Sequence, residues 1–360
     1  MDKIKNLKKF WKNKRVFITG HTGFKGSWLC IMLNLLGSKI YGYSLKPKNK
    51  SLFKLGNLNK ILISNSYNDI SNLKILKKKI KIAKPNIIFH LAAQPLVLDS
   101  YKYPVETFKT NILGTVNLLE AVRGLKSIKA VVIITTDKVY KISKSGKSYK
   151  ETDELFGKDP YSSSKVGAEL IVNSYIESFF SKTNLSKRIA TARAGNVIGG
   201  GDYSKNRLIP DIQLAIQKKK WLKIRSPNAI RPWQHVIEPL LGYLMLAKYL
   251  YYGKQTDRNH GWNFGPNNSN FKRVTEILKI SNIFTRLKFS INKSINHKET
   301  EILKLDSLKA KKKLKWKSRL NVYQTLKYFF EWNSQVIKGF SAKIVCEKQF
   351  LMYMRGNQKK

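Results

Sequence analysis

The sequence predicts an α/β fold: a doubly wound parallel sheet followed by a smaller C-terminal lobe suited to binding a substrate. Three observations carry that prediction. Short apolar, β-branched runs recur between Val16 and Arg193 with helix-length segments between them, the order that gives parallel strands joined by crossover helices. The first run ends in a glycine-rich turn, Gly20-His21-Thr22-Gly23-Phe24-Lys25-Gly26, which opens directly into a helical stretch. After Arg193 the alternation stops, and Pro, Trp and Arg become frequent. The sheet is therefore assigned to residues 10–193, with 236–264 returning to it, and the lobe to 194–235 and 265–345. A chain of 360 residues, 42% of them apolar, suffices for two such units on one framework.

Taken in order, Lys14 to Thr19 reads as the first strand and Ser27 to Leu36 as the helix after the turn. Gly20 permits a tight bend, Gly23 lets backbone N–H groups approach a pyrophosphate at the helix N-terminus, and Gly26 lets the helix pack closely on the strand. Strand, glycine turn and helix in this order make a dinucleotide site. The second strand, Lys39 to Tyr43, is followed by Ser44, Leu45 and Lys46, where an acidic residue would ordinarily take the adenosine ribose. Both NAD and NADP therefore stay open. Ile61 to Ser64 reads as a third strand, with Asp69 and Ile70 beyond it as candidates to reach the adenine; Asp69 also fits a helix N-cap. A Lys-rich amphipathic helix leads to Pro85, and Asn86 to Leu91 makes a fourth strand. At its end Leu91, Ala92, Ala93 and Gln94 are candidates to lie against the second half of the cofactor. In the helix expected from Pro104 to Gly124, Asn111 either bridges active-site water or holds the neighbouring strand, and the holding role is the expected one.

Ala130 to Ile134 is a continuous β-branched run, read as a strand buried on both faces. Thr136, Asp137 and Lys138 then emerge at its carboxyl end, where open α/β sheets place their chemistry. Pro160 begins a helix whose spacing sets Tyr161 and Lys165 on one face, one turn apart. An ammonium beside a phenol favours the phenolate, drawing a pKa of about 10 toward that of a general base. Arg188 to Arg193 is a sixth strand. The segments 194–202, Arg207 to Pro210 and Arg231 to Val236 read as loops of the lobe, Trp262 to Pro266 as a strand returning to the sheet, and Lys309 to Leu314 as a solvated charge run.

The formal charge of +47 ordinarily suggests nucleic acid or an anionic membrane as partner. Here the excess is mostly Lys and is spread along the chain beside abundant Asn and Ile, which marks a compositional bias, so neither partner is expected. The two cysteines, Cys30 and Cys346, match no metal or redox spacing, and no metal site is expected. No apolar run approaches the ~18 residues of a membrane span, and no secretory signal is evident.

Together the glycine turn, His90-Leu91-Ala92-Ala93-Gln94, Thr136-Asp137, Tyr161 and Lys165 resemble the extended short-chain dehydrogenase/reductases, over roughly residues 10 to 345. Within that group Phe10-Trp11, His21 to Trp28, Thr136-Asp137-Lys138, Gly199-Gly200-Gly201-Asp202 and Arg231-Pro232-Trp233-Gln234-His235 resemble the CDP-glucose 4,6-dehydratase branch. Lys138 stands where the dTDP- and GDP-sugar dehydratases usually carry Glu. The resemblance implies a Rossmann-type domain, bound NAD, CDP-glucose as the nucleotide-sugar substrate, a homodimer and a cytoplasmic setting in deoxysugar synthesis. Tyr161 would be the base at the C4 hydroxyl, supported by Thr136 and Lys165. Lys138 as a neutral amine would take the C5 proton, and protonated Asp137 would donate to the departing C6 hydroxyl. Gly20, Thr22, Gly23, Phe24, Gly26, Asp69, Ile70, Leu91, Ala92, Ala93, Gln94, Asn111, Tyr161 and Lys165 would hold the cofactor. Asn196, Arg207, Arg231 and His235 would hold the nucleotide and diphosphate, while Trp233 fits a core role equally well. The chain departs from the pattern at Leu98, where Arg is common, at Val139, where Cys is common, and in Lys141 to Lys147, which replaces a more acidic loop. Another enzyme acting on nucleotide sugars, such as an epimerase, or a non-catalytic dinucleotide sensor are the competing readings. Asp137 beside Lys138 favours dehydration over epimerisation, and a sensor would be expected to lose Tyr161 or Lys165. Apolar residues on two sides of the helix that Pro160 begins, Val166, Leu170, Ile171 and Tyr175 against Ala168, Val172 and Phe179, exceed what one sheet face can cover and, with the helix that begins near Pro104, support the dimer.

Overall fold

Seven parallel strands form the central sheet in this computed structural model, which describes residues 2–143, 146–181, 183, 188–224, 226–254, 259–291 and 303–356. They are β1 Arg15–Thr19, β2 Lys39–Ser44, β3 Ser64–Tyr67, β4 Ile87–His90, β5 Ala130–Ile134, β6 Ile189–Arg193 and β7 Gly261–Asn263. In space they run β7-β6-β5-β4-β1-β2-β3. Val16 lies opposite Ile40 on one side and Ile87 on the other, so the strand order reverses at β1 and β4. Doubly wound sheets open a ligand crevice at the carboxyl ends of such a pair. The glycine turn after β1 and the 91–94 segment after β4 form its two lips.

Helices cover both faces, which is why β5, with all five residues buried, is apolar throughout. One face carries Trp28, Leu29, Leu240 and Leu244 with Trp11 and Phe350 from the terminal helices. The other carries Leu76, Leu118, Leu119, Val172 and Ile176. At about 25 cal/mol per Å² of apolar area, these two layers supply the main drive for folding.

The third strand is displaced from its expected place. Leu58–Ile61 is a 3-10 turn, Ile63 is 61% exposed, and the ladder on β2 uses the polar run Ser64–Tyr67. An edge strand pairs on one side only, so it needs no apolar run, and the apolar signal pointed three residues too early. The Pro104 to Gly124 helix is also interrupted: Pro104–Phe108 and Gly114–Val122 are α-helical, but Lys109–Leu113 forms a π turn with Asn111 buried inside it. Such π turns often accompany functional residues.

Beyond Arg193 the lobe is more regular than loops. Arg207 is the N-cap residue of a helix, Leu208–Gln217, and Val197–Ile198 pairs with Gln234–His235. Ile230–Pro232 pairs with Phe271–Arg273. Arg, Pro and polar residues hid these short elements from a periodicity argument. Trp262 does return to the sheet, through β7 on β6. Lys309 is no part of a solvated run: its Nζ donates to the Asn259 and Gly261 carbonyls at 2.7 and 2.8 Å and lies over the Trp262 ring. Lys311 to Lys313 are exposed as expected. Among the described residues no helix is long and apolar enough to cross a membrane, and Cys30 and Cys346 are buried and unpaired as a disulfide.

Candidate active site

The crevice begins at the glycine turn. Gly20 has φ +73°, and a Cβ there would stand 2.6 Å from the Ala92 backbone nitrogen. Only glycine lets the two lips meet. Gly26 is equally constrained, since its Cβ would fall 2.2 Å from the Gly20 carbonyl oxygen, while Gly23 is the N-cap residue of the Phe24–Leu35 helix with no side-chain cap. That helix therefore presents uncapped N–H groups to the crevice, which suits a pyrophosphate. Thr22 ties the turn to the end of β2 through Ser44 Oγ at 2.7 Å and the Leu45 carbonyl at 3.0 Å. Phe24 lies near Gly199 of the lobe. Thr19, hydrogen-bonded to His90 Nδ1 at 2.7 Å, accepts from the Ala92 N–H, so the strand ends are fixed to each other. These cradles fit a dinucleotide.

At the edge of the crevice, Asp69 is exposed beyond β3. It is not the helix N-cap, a role filled by Asn72, whose side chain accepts from the Ile75 N–H; Asp69 instead accepts from the Ser71 N–H. The Ile70 side chain is buried against Gly114, so it serves packing rather than an open adenine face. Leu91, Ala92, Ala93 and Gln94 line the second lip, half-buried. Asn111 takes the holding role: its Oδ1 accepts from the Gln94 N–H at 2.8 Å, and its Nδ2 donates to the Gln94 carbonyl and to Ser164 Oγ. It joins this lip to the helix of Tyr161 and Lys165.

That helix, Pro160–Tyr175, is started by Asp159 in a capping box with Ser162, a local device that fixes where Tyr161 begins. Tyr161 is 9% exposed and Thr136 is 6% exposed at the end of β5. Burial raises the Tyr161 phenol above its usual value, against a Thr136 hydrogen bond and the Arg207 charge. The sequence expected Lys165 to lower it. Lys165 instead donates its ammonium to the Ile134 carbonyl at 3.1 Å, and burial together with Lys25 lowers its own pKa to about 8, against Glu169. Asp137 is 5% exposed, and burial raises its carboxyl pKa in spite of Lys138, a Thr136 hydrogen bond, Arg231 and Lys25. A carboxyl so placed is suited to donate a proton. Lys138 stands beside it, half-buried.

From the lobe, Arg207 pairs with Asp202 at 3.3 Å, and Arg231 acts on Asp137 from the Ile230–Pro232 strand. Asn196 is exposed next to Gly195, whose missing Cβ leaves room for Asp137 Oδ2. Arg231 and Lys138 both act on Asp137, and Arg207 acts on Tyr161. His235 does not join them. It is fully buried, with its ring against Trp28 and Tyr328. Trp233 is core as well, donating to the Lys272 carbonyl. Leu98 is half-buried in the Val97–Lys102 helix, and Val139 is fully buried with Tyr140 and Tyr149. Of the loop from Lys141 to Lys147, positions 144 and 145 lie outside the described residues, and Lys141 pairs with Glu154.

Three residues escaped the sequence reading. Lys25 faces Arg207, Asp137 and Asp202, and burial lowers its pKa to about 8; within the glycine turn its side chain gave no separate signal. Glu169 and Arg193 form a buried ion pair beneath the helix. The spacing of Glu169, four residues past Lys165, was a visible clue.

The sequence pattern of the family described as GDP-mannose 4,6 dehydratase matches residues 17–329. A CDP-glucose 4,6-dehydratase of Salmonella typhimurium is 43% identical over 96% of this chain and 98% of its own length. Among solved structures, a dTDP-glucose 4,6-dehydratase of Bacillus anthracis in complex with NAD superposes with a TM-score of 0.75 at 22% identity, over 91% of this chain and 99% of that one. An epimerase of Methanothermobacter thermautotrophicus superposes with a TM-score of 0.77 at 20% identity, over 94% and 97%. Both superpositions show the same fold.

Proposed function

Because the chain belongs to the GDP-mannose 4,6 dehydratase family, we propose that it is an NAD-dependent hydro-lyase converting CDP-glucose to CDP-4-keto-6-deoxyglucose and water. The observation that carries this reading is the convergence of Tyr161, Thr136, Lys138 and a buried Asp137 whose carboxyl is biased toward its protonated form. An epimerase has no water to expel and no use for such an acid. The 43% identity to a CDP-glucose enzyme over nearly the whole chain supports the choice of nucleotide.

NAD, when bound, would supply the redox chemistry, an internal hydride transfer from C4 to C6. The chain manages protons and position. Tyr161, oriented by Thr136, takes the C4 hydroxyl proton. The ketone formed at C4 acidifies C5–H, and Lys138 removes that proton while Asp137 protonates the departing C6 hydroxyl. Arg207 and Arg231 offer planar forks to the diphosphate. Gly20, Gly23 and Gly26 would shape the cofactor cradle, and Lys165 would help to hold the cofactor at the Tyr161 helix. The enzyme works in the cytoplasm as a homodimer, a state supported by the apolar residues exposed on the paired helices near Val105 and Leu170.

Purified protein incubated with NAD and separately with CDP-, dTDP-, GDP- and UDP-glucose tests the reading. The alkali-induced absorbance of a 4-keto-6-deoxy sugar should appear with CDP-glucose first. Equal or greater product from another nucleotide would reassign the branch, and an epimerised sugar with no dehydration would overturn the reaction.

A further inference from the structure

Tyr161, Lys165 and Glu169 recur at intervals of four along one helix and so share one face. That face grips three consecutive residues at the end of β5. Thr136 lies close enough to act on the Tyr161 phenol, the Ile134 carbonyl accepts from Lys165 Nζ at 3.1 Å, and Thr135 Oγ1 donates to Glu169 Oε1 at 2.5 Å. Glu169 also holds the next strand. It accepts from Thr191 Oγ1 and, through two parallel bonds of 2.9 Å each, from Arg193. Thr135, Glu169, Thr191 and Arg193 are all at most 5% exposed. The Arg193 guanidinium continues to Tyr140 Oη at 2.7 Å, and Tyr140 donates to Asn263 Oδ1 on β7.

We propose that Glu169 is a positioning residue for the dehydration: it locks the helix bearing Tyr161 and Lys165 onto β5 and β6 in the register the reaction needs, and supplies the buried anion facing Lys165. The inference rests on the dehydratase reading of this site. Its physical basis is that a buried ion pair adds little stability over apolar side chains of the same volume, whereas four fixed bonds to one carboxylate define position closely. A misplacement of about 1 Å costs on the order of 100-fold in rate, and Thr135 adjoins Thr136.

The second half of the role is electrostatic. Lys165 is faced by Lys25 from the glycine turn, by His90 from the end of β4, and by Tyr161 and Glu169 from its own helix, with Arg193 beyond Glu169. Of these Glu169 is the group that favours its charged form, while burial and Lys25 oppose it. Neutralising Glu169 lowers the pKa of Lys165 further below about 8, so the ammonium is lost at a lower pH.

Three variants test this, with kcat, KM and the pH profile compared with wild type on whichever nucleotide sugar the wild type turns over. Glu169→Gln should lose about 10- to 100-fold in kcat, with KM changed much less, and the alkaline limb of kcat should move down by about one pH unit. Glu169→Asp, which keeps the charge but withdraws it, should lose kcat while leaving that limb in place. Thr135→Val, which removes one bond and leaves the ion pair intact, should lower kcat about 10-fold. The Lys165 titration followed by NMR of ¹³C-labelled lysine needs no substrate: a downward move in Glu169→Gln supports the electrostatic role even if wild type dehydrates no nucleotide sugar, a result that would sink the dehydratase reading alone. Wild-type kcat and an unmoved Lys165 titration in folded Glu169→Gln would overturn the proposal. Should that variant not fold, wild-type kcat in both Glu169→Asp and Thr135→Val would do so.

Discussion

At the scale of single residues, burial decides the protonation states that the chemistry uses. The Asp137 carboxyl pKa is raised because the burial of a carboxylate outweighs the cations around it. Asp137→Asn preserves the shape but cannot deliver a proton, so we expect kcat for dehydration to fall by about 10²–10⁴-fold. Reduced nicotinamide should accumulate after mixing with substrate, followed by stopped-flow absorbance; undiminished dehydration would remove Asp137 from the acid role. Lys165 shows the cost of such a site. Its pKa falls from 10.5 to about 8 on burial, which corresponds to roughly 3 kcal/mol of lost stability at neutral pH. The cost is fully present below about 8, where both folded and unfolded chains carry the proton, and disappears as pH rises toward the unfolded value. Lys165→Met should therefore be inactive yet melt higher than wild type at pH 7, with the advantage gone near pH 10. A lower melting temperature at pH 7 would show that the bond to Ile134 outweighs the burial penalty. Tyr161, Lys165 and Asp137 were legible in the sequence because their spacing and their place after a buried strand reported geometry. Their protonation states were only partly legible, because burial is set by elements distant in the chain. His235 was misread for the same reason: a polar residue in a short stretch of Pro, Trp and Arg does not reveal how deeply the fold buries it.

At the scale of elements, the glycine turn and the apolar strands were readable because each is dictated locally, by positive φ, close backbone approach or burial on both faces. The edge strand Ser64–Tyr67 and the Leu208–Gln217 helix were not, since pairing and packing from elsewhere stabilise them. Glu238 illustrates a contact with no local signal. It begins the Ile237–Tyr251 helix fully buried, and its carboxylate accepts from Ser318 Oγ at 2.9 Å and the Leu320 N–H at 3.0 Å. The Arg319 N–H donates to it as well. One side chain thus fastens the segment before the C-terminal helices to the helix that packs on β5. Glu238→Ala leaves four donors, Ser318 Oγ, Tyr353 Oη and the Arg319 and Leu320 N–H groups, without their acceptor, at about 1–3 kcal/mol for each buried group left unsatisfied. We expect a loss of roughly 3 kcal/mol or more in denaturant unfolding, and Glu238→Gln, which retains one carbonyl oxygen, should lose less. A change under about 0.5 kcal/mol in Glu238→Ala would mean that water replaces the carboxylate.

At the scale of the whole molecule, net charge and the exposed apolar face pull in opposite directions. Val105 is 71% exposed, Leu113 43%, Leu170 57% and Phe179 47%, on the two neighbouring helical stretches that begin at Pro104 and Pro160. Of the residues the sequence pattern set on two sides of the second stretch, Ala168 and Val172 are buried on the sheet, Val166, Ile171 and Tyr175 are half-buried against the core, and only Leu170 and, from the Ala168 side, Phe179 are exposed. Covering the exposed residues with a twofold copy removes them from water, but each copy carries a formal charge of +47, and like charges repel across any contact between them. Salt shortens the reach of that repulsion from about 10 Å at 0.1 M to about 3 Å at 1 M and leaves apolar burial intact. The proposed dimer should therefore tighten as salt is added, opposite to a contact held by ion pairs. Sedimentation at micromolar concentration should show a species twice the 41.5 kDa chain, with dissociation favoured at low ionic strength. Leu170→Glu should yield monomer at all salt concentrations while leaving the fold intact, because Leu170 faces away from the sheet. A wild-type chain that stays at 41.5 kDa in both low and high salt would leave the apolar face without a second copy to cover it and would refute the homodimer.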